Sequence, residues 1–134
     1  MSYAAVARYQ QNDVFSMSPA RRVVFLYGQT LASLRQAARY LEKGDIEQRS
    51  RCMMRASEIV GELLCSLDFE AGGEIATNLA RLYTWMMSEI FEVDRLRDTR
   101  RLEKLTAIVA ELHSAWNQAA TQVADEAPTA AGGE

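Results

Sequence analysis

Residues 18–45 read SPARRVVFLYGQTLASLRQAARYLEKGD, and the punctuation of this stretch decides the fold. Ser18 is a good helix N-cap, and Pro19 takes the first helical position, where its missing N–H is no loss. Ala20, Val24, Tyr27, Leu31, Leu34, Ala38 and Leu41 then recur at alternating steps of four and three, which draws one apolar stripe. Lys43 lies in the last turn and Gly44 supplies a left-handed stop. Asp45 at once caps a second helix, so the link is very short and the two helices must run antiparallel.

The same reading extends outward. A second helix over Ile46 to Ser66 carries Cys52, Ala56, Ile59 and Leu63 on one stripe and Met53, Val60, Leu64 and Leu67 on a neighbouring one. Its opposite face, Arg51, Arg55, Glu58 and Glu62, reads as a solvated charge ladder. Leu67 to Gly73 is the main break. A third helix, Glu74 to Val93, places Ala76, Leu79, Tyr83, Met86, Ile90 and Val93 on its stripe, with Leu82, Trp85 and Phe91 widening it. Asp98 caps a fourth, whose stripe is Leu102, Leu105, Val109, Leu112, Trp116, Ala119 and Val123. Nothing alternates with period two. The expected fold is all-α, an antiparallel up-down-up-down four-helix bundle over residues 18–123. Residues 124–134 lose all periodicity and are expected to be a disordered tail.

Composition narrows the function. The chain has 134 residues, 49% of them hydrophobic, enough for a core that needs no disulfide or metal to fold. Its net charge is −3, split between +4 up to Glu58 and −7 from Ile59 onward. An acidic chain of this kind is not expected to bind nucleic acid, which demands a net basic face. No apolar run reaches the ~20 residues of a membrane span, and the first residues lack the pattern of a secretory signal. Cys52 and Cys65 fall in apolar helical pattern and read as small buried hydrophobes of a reduced, cytoplasmic protein.

Enzyme chemistry finds no footing. A di-iron bundle needs two Glu-x-x-His pairs facing inward, and this chain has one histidine, His113. The Gly72-Gly73 pair lacks the Gly-Lys-Ser/Thr ending of a phosphate loop. No catalytic residue, metal or cofactor is therefore expected. The arginine groups, Arg21-Arg22, Arg49 with Arg51 and Arg55, and Arg95 to Arg101, read as solvated faces and ion pairs.

The large apolar residues are harder to absorb. Met53-Met54 and Met86-Met87 are adjacent pairs pointing about 100° apart on a helix, so one member of each can enter the core while the other reaches the rim. Methionine adapts to varied helical partners. Gly28 and Gly61 sit inside helices at a cost of ~1 kcal/mol each, which suits a close approach by another group. Ahead of Ser18, residues 1–17 hold Tyr3, Val6, Tyr9, Val14 and Phe15, too apolar for a free tail. They read as an arm that folds back over an apolar patch.

In series, these residues resemble the FliS family of flagellar export chaperones. The matching elements are Tyr9-Gln10, Ser18-Pro19, Leu26-Tyr27-Gly28, Gly44-Asp45, Ser66-Leu67-Asp68 and Ala115-Trp116. The strongest is Gly72-Gly73-Glu74-Ile75-Ala76-Thr77-Asn78-Leu79, followed by Leu82-Tyr83 and Met86. Val93-Asp94 stands where the family commonly has Ala-Asn, and Trp85 where Tyr is common. The resemblance implies a cytoplasmic chaperone that binds the disordered C-terminal segment of flagellin and delivers it to the export gate. It implies too that the N-terminal arm lies over the client surface when no client is bound. On that reading Tyr3 and Tyr9 form a removable cover, and Tyr27, Met53, Met54, Tyr83 and Met87 contact the client. The alternative is a structural or regulatory bundle whose wide apolar face forms a homodimer. A monomer or weak homodimer is expected.

Overall fold

The computed structural model describes the backbone of residues 17–132 and the side chains of residues 17–122. Tyr3, Tyr9 and all but the last residue of the arm lie outside the described residues. Helix α1 spans Pro19–Lys43. The Ser18 hydroxyl accepts a hydrogen bond from the Arg21 N–H at 3.2 Å. Gly44, at φ 76°, ends the helix, and the Gly44 and Asp45 N–H groups donate back to the Leu41 and Tyr40 carbonyls. Asp45 then accepts from the Gln48 N–H at 3.1 Å and opens α2, Ile46–Cys65. These caps satisfy backbone groups that a bare helix end leaves unpaired.

The break between α2 and α3 is shorter than expected. Helix α3 runs Phe69–Leu96, not from Glu74, because the Asp68 carboxylate accepts from both the Glu70 and Ala71 N–H groups and starts a turn there. Gly73 then interrupts it at φ 51°, ψ −125°, a conformation that only glycine adopts without strain. The glycine pair is thus a kink inside the third helix. Arg97 ends α3 in the left-handed region. Asp98 accepts from the Arg101 N–H and opens α4, Thr99–Gly132. The helical backbone of α4 therefore runs on past Val123, into the segment expected to be disordered.

The four helices form a ring in chain order. Each packs against its neighbours, and α3 and α4 adjoin over the shortest stretch. Across the diagonals, α1 to α3 and α2 to α4, no Cα atoms come within 8 Å among the described residues. The core is built from the predicted stripes, with Tyr27, Leu34, Ala56, Val60, Met86, Leu105 and Val109 fully buried. Each buried Leu, Val or Met side chain among them contributes ~1.5–3 kcal/mol through removal from water. Three details differ. Cys65 is exposed and Cys52 only half-buried, because the α2 stripe that reaches the core is that of Met53, Ala56, Val60 and Leu63. At the far end of α4 the buried alanine is Ala120, not Ala119. Trp85 and Phe91 do not widen the core but stand exposed on opposite flanks of α3.

Candidate apolar binding seam

Two ion pairs fix how α3 is turned. Asp94 accepts from the buried Arg49 guanidinium of α2 at 2.8 Å, with the Ser50 hydroxyl donating to the same carboxylate. Glu89 is paired with Arg101 of α4. One flank of α3 therefore faces α2 and the other faces α4. On the α4 flank, Ile75, Leu82 and Trp85 follow Glu89 down the helix at helical spacing. Ile108, Leu112, Ala115 and Ala119 descend from Arg101 in the same way on α4. Leu82 and Leu112 are half-buried, whereas Ile75 is 70% and Trp85 42% exposed. The seam is thus clamped by charge at its upper end and lined by apolar side chains below.

The lower end opens into a cavity of about 330 Å³. Leu79, Tyr83 and Trp116 line it with Val23 of α1, Leu63 of α2 and the Asp68–Gly72 turn. Its floor is rigid. Tyr27 donates a hydrogen bond to the Tyr83 hydroxyl at 3.0 Å and stacks on Trp116 with ring centroids 6.1 Å apart. Burial, together with the bond to Tyr83, pushes the Tyr27 hydroxyl well above its ordinary range, and burial raises Tyr83 too. Both rings stay neutral and act as a fixed wall. Beside them the His113 ring lies against Gly28, where an added Cβ would sit 3.3 Å from its Nε2. The close approach expected at Gly28 is therefore made by a side chain of α4.

A second, larger cavity of about 790 Å³ lies between α1 and the upper half of α4. Arg35, Arg39, Glu42 and Glu103 line it, so it offers mixed charge over small residues. No cluster of three or more His, Cys, Asp or Glu side chains able to hold a metal forms among the described residues. No described helix is long and apolar enough to cross a membrane.

The five expected contact residues within the described region do not come together. Tyr27, Met53 and Tyr83 are core residues, each at most 2% exposed, and this corrects their placement on the client surface. Adjacent positions on a helix diverge, and at the Met53-Met54 pair it is Met53 that points inward. Met54 is 63% exposed, and Met87 is half-buried on the α2 side of α3. Ile75 and Trp85 were missed as surface groups. The signal was present, since neither lies on the Ala76 to Val93 stripe.

Comparison with known proteins gives one answer throughout. The family model "Flagellar protein FliS" matches residues 1–123. The flagellar secretion chaperone FliS of Salmonella typhimurium is 30% identical over 118 residues, 87% of this chain and 86% of that protein. The flagellar secretion chaperone FliSB of Pseudomonas aeruginosa is 33% identical over 117 residues, covering 84% and 93%. A crystal structure of a flagellar chaperone from bacteria superposes with a TM-score of 0.72 over 89% of this chain and 97% of that one. At 19% identity, that likeness speaks for the fold.

Proposed function

This chain belongs to the FliS family of flagellar proteins, and from that membership we propose that it is a cytoplasmic export chaperone for flagellin. It binds the disordered C-terminal segment of flagellin, prevents premature polymerisation and assists delivery to the flagellar secretion apparatus, with an export-gate component as a further partner. The work is binding, not catalysis.

The observation that supports this reading is the α3–α4 seam. A folded bundle leaves Ile75 and Trp85 on the surface of one flank of α3, with Ile75 at the rim of an apolar cavity that Tyr83 and Trp116 also line. A client that folds on binding must recover its ordering entropy from a long apolar contact. The seam offers such a contact to an amphipathic helix, with anchors at helical spacing. The contact set moves accordingly, from Tyr27, Met53 and Tyr83 to Ile75, Leu82 and Trp85. Tyr3 and Tyr9 keep their proposed part as a removable cover of this surface.

Titration calorimetry of the full chain with a flagellin C-terminal peptide tests the proposal. We expect one-to-one binding, a negative heat-capacity change and helix gained by the peptide. Replacing Ile75 and Trp85 together by Ser should weaken binding about tenfold or more. The same change should alter stability by only about 0.5 kcal/mol, as expected of exposed sites. A folded protein that does not bind the peptide would overturn the reading. Binding unchanged in the double variant would move the client off this seam.

A further inference from the structure

The turn that walls the lower cavity is joined to the bundle by very little. Ahead of it the chain passes through the non-helical pair Leu67-Asp68. Behind it Gly73, at φ 51° and ψ −125°, separates it from the rest of α3. Every side chain from Asp68 to Ile75 is exposed, so the segment is anchored only by the half-buried Leu67 and the buried Ala76 at its two ends. Its polar groups are used internally. The Asp68 carboxylate accepts from the Glu70 and Ala71 N–H groups, and the Gly72 N–H donates to the Asp68 carbonyl at 2.8 Å. Among the described residues no hydrogen bond ties the turn to α1 or α4. A segment that is stiff in itself and weakly attached opens at far lower cost than the core.

The turn rests on one close contact. A Cβ built on Gly72 would lie 2.8 Å from the Cβ of Ala76. In an unbroken helix, Cβ atoms four residues apart stand ~5–6 Å apart, so the kink at Gly73 has folded the turn back onto its own helix. The two glycines thus serve different ends, Gly73 the positive φ and Gly72 the close seat. Ala76 is buried and lines the cavity together with Ala71 and Gly72, so the seat of the turn and the wall of the cavity are one place. Lifting the turn off Ala76 removes the wall that stands beside Leu79, Tyr83 and Trp116.

We infer that the Asp68–Gly72 turn is a flap over the lower cavity, hinged at Gly73 and seated in its closed position by Gly72 on Ala76. The structure holds the closed form, with about 330 Å³ beneath the flap. That is the small end of the range of ligand pockets. Opening enlarges this space at the foot of the seam, so the flap regulates access to the aromatic floor. The hinge is a property of this chain and needs no client. Only its use as a gate for a flagellin segment rests on the flagellin reading.

Acrylamide quenching of Trp116 tests it, in a full-length Trp85→Phe background where Trp116 is the sole tryptophan. Gly72→Ala sets two methyl groups against each other, and neither can turn aside because both are fixed to backbone. The flap must lift, and the quenching constant of the half-buried Trp116 should rise about twofold. Adding Ala76→Gly removes the opposing methyl and should return the constant to its starting value. General loosening would do the reverse, since a second glycine weakens the helix further. Unchanged quenching in a folded Gly72→Ala protein overturns the proposal, and so does a rise that Ala76→Gly deepens. Should Gly72→Ala not fold, Gly73→Ala, whose methyl meets nothing within 4 Å, must give the same rise, and its absence overturns the hinge. Calorimetry with the flagellin peptide, in the native Trp85 background, separates the two readings. Gly72→Ala should weaken binding severalfold and Ala76→Gly should restore it. A peptide that binds both forms equally overturns the gate. One that fails to bind the unaltered chain while the quenching pattern holds overturns the flagellin reading alone.

Discussion

The two ends of the bundle are held by different forces. At the upper end, charge closes both flanks of α3, through Arg49 on Asp94 and Arg101 with Glu89. At the lower end the same helix is kinked at Gly73 and bordered by a cavity whose walls are apolar and aromatic. Ion pairs are directional and hold one register. Apolar contacts are not directional, and a gap between them can be filled by any side chain of suitable size. One end therefore fixes the helices and the other remains free to take a ligand.

Removing the upper clamp is the severest way to break this contrast. In Arg49→Ala the Asp94 carboxylate loses its partner while still partly buried, with 29% of its side chain exposed. Uncompensated burial of one charge costs ~3–5 kcal/mol when complete. The partial exposure of Asp94 places the expected loss near the bottom of that range, at about 3 kcal/mol, read from the urea midpoint. Flagellin-peptide affinity should hold so long as the protein stays folded. If binding fell in proportion to stability, the two ends would not be separable.

The contrast also shows what the sequence could carry. Helix number, direction, caps and most of the core followed from Ser18, Gly44, Asp45 and the three-four stripes, because caps and periodicity are local. The ion pairs were not legible. Arg49 read as one of a solvated group, and only the packing of α2 on α3 brings it to Asp94. The binding residues were half legible, for a related reason. A tyrosine or methionine on a stripe looks alike whether it closes the core or lines a groove. Tyr27 and Tyr83 proved to be core because each satisfies the other's hydroxyl, a long-range fact. Ile75 and Trp85 lay off the stripe and were readable as surface residues, yet Trp85 read as a widening of the core and Ile75 only as part of the glycine motif.

Gly73→Ala attacks the lower end alone. An added Cβ would meet nothing within 4 Å, so the whole cost is backbone strain at φ 51°. Such strain amounts to ~1–3 kcal/mol for a residue with a side chain. The chain can relieve it only by straightening the kink. That moves the Asp68–Gly72 turn and with it one wall of the cavity. Stability should fall by about 2 kcal/mol, less than for Arg49→Ala, while peptide affinity falls too. Loss of stability without loss of affinity would detach the cavity from the client surface.

The smallest effect sharpens the comparison most, because it isolates the aromatic floor. Tyr27 and Tyr83 are held above their ordinary pKa of 10.0 by burial, Tyr27 also by its hydrogen bond to Tyr83. The folded state therefore keeps both protons at a pH where the unfolded chain loses them. Their contribution is fully present below pH 10.0 and declines as pH rises above it. Each tyrosine should cost about 1.4 kcal/mol of stability per pH unit in that window, as long as it stays protonated in the fold. Tyr27→Phe removes one of the two titrating groups and should halve the alkaline slope that they contribute. At neutral pH the same change leaves the Tyr83 hydroxyl without its buried donor, a loss of about 1 kcal/mol. An alkaline slope unchanged in Tyr27→Phe would mean that the floor admits water and is not the rigid wall on which the proposed site rests.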